Sequence, residues 1–168
     1  MIDRIVVDTA SRTLIAGELS LPCLIGKGGA IAEADKAEGD GATPLGEYRL
    51  LTVLVRPDRM PAPTTRLPWR WLSRSDGWSD GATDPAYNYP IRHPHGYSAE
   101  HLWREDGLYD LIVTTDHNTP PKAGAGSAIF LHCTVNGRTG TEGCVAVARD
   151  ELFRLLASLS PGAIIAIG

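Results

Sequence analysis

The stretch IFLHCTVNGRTGTEGCVAVARDEL, residues 129–152, brings together the chain's most reactive residue types: His132, Cys133 and Cys144. A thiolate is a strong nucleophile, but an unperturbed cysteine ionises little near neutral pH, so Cys144 needs a base or a positive neighbour. His132 can be either. Gly143, lacking Cβ, allows a tight backbone beside which an acyl carbonyl can meet the N–H groups of Gly143 and Cys144, an oxyanion hole. That set would perform acyl transfer through a thioester. A strand histidine and a cysteine after a glycine also occur as plain core residues, and these two alone leave both readings open.

The elements around them decide which way the side chains face. Ser127–Cys133 (SAIFLHC) reads as a strand, and strand side chains alternate, so Phe130 and His132 share one face while Leu131 and Cys133 share the other. Cys133 then packs as a small apolar residue on the helix side, leaving His132 to face a site. Leu108–Thr115 reads as the preceding strand. After Cys144, apolar residues at 145, 152, 155, 156 and 159, with Asp150 and Glu151 early, predict a helix over about 148–159. PGAIIAIG closes the chain as a strand. Upstream, Ile5–Val7, Thr13–Ile15, Leu19–Ile25 and Tyr48–Val55 suit a meander of antiparallel strands. GKGGAIAEADKAEGDGATPLG between them lacks a period and is expected to be a long exposed loop. Residues 57–107 crowd Pro, Asp, His and all four Trp without a steady period, an elaborated surface over a sheet.

The 168 residues fit one domain, and 43% hydrophobic with 21% charged residues is an ordinary globular balance. Sixteen basic against twenty acidic residues, with no Lys or Arg run, exclude an electrostatic footprint for nucleic acid. The opening MIDRIVVDTASR lacks the basic leader and long apolar segment of a signal peptide, and no membrane span is visible. Three cysteines are an odd number, so at least one thiol is free.

HCTVNGRTGTEGCV resembles the signature of the L,D-transpeptidase (YkuD-like) catalytic domain: a strand His, then Thr141, Glu142, Gly143, Cys144 and an aliphatic residue, Val145. TPLGEY at 43–48 is similar to that family's TPxGxF/Y element. PAYN at 85–88, LWREDGLYD at 102–110 and HN at 117–118 resemble one bacterial branch. The resemblance covers roughly residues 20–168. It implies a mostly β, YkuD-like domain with sandwich or barrel-like sheets, one or two short helices and the long loop region at 57–107. It also implies peptidoglycan stem peptides as partners, with Cys144 as nucleophile and His132 as acid and base. The backbone carbonyl of Cys133 would orient His132, and neither metal nor organic cofactor is needed. Tyr87, Asn88, Asn118, Arg138, Thr141 and Glu142 would meet substrate, Arg138 either pairing with a carboxylate or standing solvated on a turn. The same Cys and His also serve an L,D-carboxypeptidase or amidase, and a wall-binding module would keep the fold without the chemistry. A cell-envelope setting follows from the resemblance, a cytoplasmic one if the N-terminus is native; a monomer is expected.

Two positions depart from the family pattern: Glu142 stands where His is usual and Ala146 where a polar residue is usual. An inward Glu142 would disfavour the thiolate. His93, His95, His101 and His117 do not show metal-ligand spacing, and GKGG at 26–29 lacks the remainder of a phosphate loop.

Overall fold

The computed structural model describes residues 1–168. Its strands are β1 (Ile2–Asp8), β2 (Thr13–Ala16), β3 (Leu19–Pro22), β4 (Ala30–Ile31), β5 (Thr43–Pro44), β6 (Gly46–Val55) and β7 (Trp69–Trp71). They continue with β8 (Asp76–Ser79), β9 (Pro90–Arg92), β10 (Ala99–His101), β11 (Leu111–Thr115), β12 (Phe130–Thr134) and β13 (Val145–Ala148). One α-helix, α1 (Arg149–Leu156), precedes the last strand, β14 (Leu159–Ile167). The domain is thus mostly β, and no helix is long and apolar enough to cross a membrane.

The main sheet runs β13-β12-β11-β6-β14-β1-β2-β3, with β7 added to β6. Its ends meet: after β3 the backbone of Leu24 exchanges two hydrogen bonds with Ala146 of β13, at 2.8 and 2.9 Å. The sheet is therefore barrel-like, which removes its open edges. Closure matters for the site because it sets the segment after β3 against the strand that follows Cys144. β1, β2 and β3 form the expected antiparallel meander, but β6 does not continue it, pairing instead with β14 and β11, and β1 pairs with β14, and β12 with β13, in parallel.

The apolar runs VLV of β6 and LIV of β11 are continuous because the sheet is covered on both faces there. Val53, Val55, Leu111, Val113, Leu131 and Cys133 enter one cluster with Leu152, Leu155 and Leu156 of α1. Leu54, Ile112 and Phe130 point the other way, under Leu72, Trp78, Leu102 and Tyr109 of the 57–107 region and its exit. A buried side chain of this size contributes roughly 1.5–3 kcal/mol by leaving water. The region is thus a packed cover, with its own three-stranded sheet β10-β8-β9.

One expected boundary shifts. The helix stops at Leu156, because Leu159 is taken as a fully buried strand residue opposite Ile2. Val145, which fits the helical spacing, lies instead on β13, where Val145 and Val147 enter the core with Leu131 and Cys133 alongside. The loop expected to be exposed at 26–46 is partly buried. It carries the short parallel pair β4-β5, and an added Cβ at Gly26 would stand 2.2 Å from the Gly41 carbonyl oxygen, so only glycine permits that approach.

Candidate active site

β12 and β13 lie side by side in parallel, with His132 opposite Ala146, and the loop 135–144 joins them. Cys144 is the residue just before β13, so the loop returns the thiol to the face that bears His132. Alternation holds along β12: Phe130 and His132 look toward the cover, Leu131 and Cys133 toward α1. Both His132 and Cys144 line one cleft of about 350 Å³, roofed by residues of the 57–107 region and of the loop after β3.

The imidazole is 4% exposed and its Nδ1 stands 2.7 Å from the Cys133 carbonyl oxygen. A carbonyl only accepts, so Nδ1 carries the proton and the Nε2 lone pair is free. Tyr109 packs edge-on against the ring, centroids 5.1 Å apart at 83°. Burial makes the imidazole hard to protonate, lowering its pKa to about 4. Burial likewise pushes the Cys144 thiol up to about 12, against the opposing bond from the Phe130 N–H. At neutral pH the pair is therefore uncharged.

The thiol's hydrogen bonds do not go to the imidazole. Sγ donates to the Ala128 carbonyl at 3.1 Å and accepts from the Phe130 N–H at 3.3 Å. Ala128 holds the left-handed conformation, φ 53°, which costs a non-glycine residue about 1–2 kcal/mol. Asn88 holds it there: its Oδ1 accepts the Ala128 N–H at 3.1 Å and the Trp78 indole N–H at 2.9 Å. Asn88 Nδ2 donates to the His117 and Asn118 carbonyls at 3.0 and 3.2 Å. All four bonding positions of this amide are filled.

Gly143 has φ +139°, and a Cβ there would stand 3.0 Å from the Ala42 carbonyl oxygen, so glycine is required on both counts. Thr141 braces the turn, its Oγ1 donating to the Cys144 carbonyl at 2.6 Å and accepting the Gly143 N–H at 3.1 Å. The Gly143 N–H is thereby occupied. Of the two amides expected to form an oxyanion hole, only that of Cys144 makes no hydrogen bond within the protein.

The remaining expected site residues divide into two groups. Arg138, Thr141 and Glu142 line the cleft together with Cys144 and His132. Glu142 faces outward, its side chain 82% exposed and paired with Lys27 at 2.8 Å, so its charge does not bear on the thiol from inside. Arg138 reaches to 3.6 Å from Asp106. Tyr87, Asn88 and Asn118 do not line the cleft. Tyr87 is buried, donating to Glu38 at 2.5 Å and accepting the Gly126 N–H at 3.0 Å. Asn118 ties its own loop through Lys122 and Gly126. These three shape the wall from behind, because every polar group they carry near the site is already bonded to protein.

Sequence reasoning missed Ala128, Tyr109 and Glu100. Tyr109 stands in the LWREDGLYD segment that carried the resemblance, which was its signal. Ala128 and Glu100 had none: one matters through its backbone angle, the other through a three-residue strand. Cys133 is wholly buried, with Sγ on the Leu111 carbonyl at 3.6 Å, and Cys23 is buried as well, leaving Cys144 as the thiol at the cleft. His93 stacks on His101 and His95 bonds Asp84, away from that cleft.

The profile of the YkuD family, described as the L,D-transpeptidase catalytic domain, matches residues 2–167. Among solved structures, Bd1075 of Bdellovibrio bacteriovorus aligns over 98% of this chain and 46% of its own, at 20% identity and a TM-score of 0.51. An L,D-transpeptidase of Xylanimonas cellulosilytica aligns over 98% of this chain and 59% of its own, at 15% identity and a TM-score of 0.49. L,D-transpeptidase 3 of Mycobacterium tuberculosis aligns over 98% and 60%, at 12% identity and a TM-score of 0.47. At 20% identity the likeness to Bd1075 is one of fold, and the chain covers 46%, 59% and 60% of the length of these three structures. No curated protein matches the sequence. With the match running from the second residue to the last but one, the chain belongs to the L,D-transpeptidase catalytic-domain (YkuD) family.

Proposed function

We propose that this domain is a cysteine-dependent L,D-transpeptidase acting on peptidoglycan stem peptides, with Cys144 as nucleophile and His132 as acid and base. The observation that carries it is the shared cleft: a thiol and an imidazole on one wall, the imidazole set with Nε2 unprotonated by the Cys133 carbonyl at 2.7 Å. Neither group is charged at rest, so the proton moves as the bond forms. Sγ leaves the Ala128 carbonyl and attacks the carbonyl carbon of the donor's third residue, its proton passing to Nε2 of His132. Charge on the carbonyl oxygen meets the unpaired Cys144 N–H. The C–N bond to the terminal D-Ala then breaks, Nε2–H protonates the departing amine, and a thioester to Sγ remains. An acceptor amine gives a proton to His132 and attacks the thioester, forming a 3→3 amide as Sγ takes the proton back. Water in place of the amine gives a tripeptide. The substrate puts the work in the cell envelope.

The test is intact-protein mass spectrometry with a tetrapeptide stem donor, with and without an amine acceptor. An adduct lacking D-Ala, mapped to Cys144 and absent in Cys144→Ala, is the expected result. D-Ala release undiminished in Cys144→Ala refutes the mechanism. Dimers identify a transpeptidase and tripeptides alone a carboxypeptidase.

A further inference from the structure

Glu100 lies on β10, opposite Trp78 of β8, and is carried by the 57–107 cover onto the same cleft as Cys144 and His132. Its Oε1 accepts the Tyr109 hydroxyl at 2.6 Å, and the Tyr109 ring is the one packed edge-on against His132. Oε2 makes no hydrogen bond. Arg104, the nearest cation, stands 3.9 Å away and commits its Nε and Nη2 to Asp106 at 2.6–3.2 Å. The carboxylate is thus aimed into the cleft, held at one oxygen and free at the other.

We propose that Glu100 is a positioning residue for the thiol and imidazole: through Tyr109 it fixes the ring that flanks His132, and its charge adds to the burial that holds Cys144 neutral until a cationic group of the ligand stands beside it. The group it would take is a primary ammonium. This rests on the acyl-transfer reading above for its purpose, though not for its test.

The charges facing each group agree with that role. On Cys144, Glu100 opposes ionisation after burial itself, and Lys36 partly favours it. Lys36 is buried and paired with Asp40, so its charge is already shared. On Glu100, burial, Asp80 and Glu38 favour the neutral form, while Tyr109 and Arg104 favour the charged one. Glu38 accepts from Tyr87 and Ser127, at 2.5 and 2.7 Å, both at Oε2, and adds its negative charge to the same cleft. Asp80 has a buried oxygen, Oδ1, with no partner. An ammonium at Glu100 relieves this crowding of negative charge and offsets Glu100's share of the penalty on the thiolate together. Ligand recognition and nucleophile activation are then one event, and a stem lacking the amine reacts slowly even when bound.

The experiment is iodoacetamide alkylation of Cys144, mapped by peptide mass spectrometry so that Cys23 and Cys133 do not interfere. It compares the full chain with Glu100→Gln, which still accepts the Tyr109 hydroxyl. One charge fewer in a shared cleft lowers a thiol's titration by about one unit, so Glu100→Gln is expected to react about tenfold faster at about pH 8. In the unaltered protein, 2,6-diaminoheptanedioate accelerates alkylation and heptanedioate, its amine-free counterpart, does not. In Glu100→Gln neither does. A rate unchanged by Glu100→Gln, or a diamine that slows or leaves unchanged the unaltered protein, overturns the proposal, and the second arm decides alone if the variant fails to fold. Alkylation needs no peptidoglycan chemistry, so failure here leaves the acyl-transfer reading standing, and failure of D-Ala release leaves this one.

Discussion

Asn88→Ala is the substitution that most directly tests how the cleft wall is held. It removes all four bonds of the amide at once. The Trp78 indole N–H and the Ala128 N–H, bonded to Oδ1 at 2.9 and 3.1 Å, become orphan donors inside the molecule. Each buried orphan costs about 1–3 kcal/mol, giving about 2–6 kcal/mol for the pair. Asn88 also has φ 58°, where an alanine is strained by about 1 kcal/mol more than an asparagine that bonds locally. The expected loss is therefore about 3–7 kcal/mol, much of the 5–15 kcal/mol typical of a domain. Asn88→Gly loses the same bonds without the backbone strain, so it should stand about 1 kcal/mol above Asn88→Ala. Equilibrium urea unfolding followed by far-ultraviolet circular dichroism measures both. Without its clamp Ala128 can leave the left-handed region, so the thiol loses its acceptor, and Cys144 alkylation should change in rate as well. A loss below about 1 kcal/mol for Asn88→Ala, with alkylation unaltered, refutes the clamp.

Gly143→Ala places a Cβ 3.0 Å from the Ala42 carbonyl oxygen at φ +139°. It should cost about 1–3 kcal/mol by urea unfolding and abolish acylation of Cys144 in the tetrapeptide assay. Thr141→Val removes the bonds to the Cys144 carbonyl and Gly143 N–H, at 2.6 and 3.1 Å, and should lose about 1–2 kcal/mol, with Thr141→Ser restoring most of it. His132 and His117, each lowered to about 4 by burial, bind fewer protons folded than unfolded. Their contribution is complete above about pH 6.5 and lost as pH falls toward 4, by at most about 3 kcal/mol each, which urea midpoints across that window measure. A stability flat from pH 6.5 to 4 would contradict their burial as neutral groups.

How far the sequence could be read differs from residue to residue. The candidate roles of Cys144 and His132 and the turn of Cys133 away from the cleft follow from residue type and strand alternation, which depend on neighbours one or two positions away. The glycine at 143 was legible for the same reason, since a missing Cβ is a local fact. The second amide of the oxyanion hole was not, because the Gly143 N–H is claimed by the hydroxyl of Thr141, and hydrogen-bond competition shows only in three dimensions. Asn88 and Tyr87 carried a recognisable motif, yet motif and role part company: their polar groups face the back of the wall. Glu142, a departure from the family pattern in sequence, is turned to solvent by Lys27, a partner more than a hundred residues away along the chain.

The sequence by itself determined the longer strands of the main sheet, the helix, the family and the candidate pair Cys144 and His132, because alternation, helical spacing and residue chemistry are local. Tertiary structure alone decided which strands run parallel, that Leu24 meets Ala146 to close the barrel, and that Val145–Ala148 pairs as a strand beside β12. It alone set Ala128 against the thiol and brought Glu100 into the same cleft. Those outcomes turn on which distant segments can be buried together with their backbone groups paired, a condition on the whole chain that no short window of residues contains.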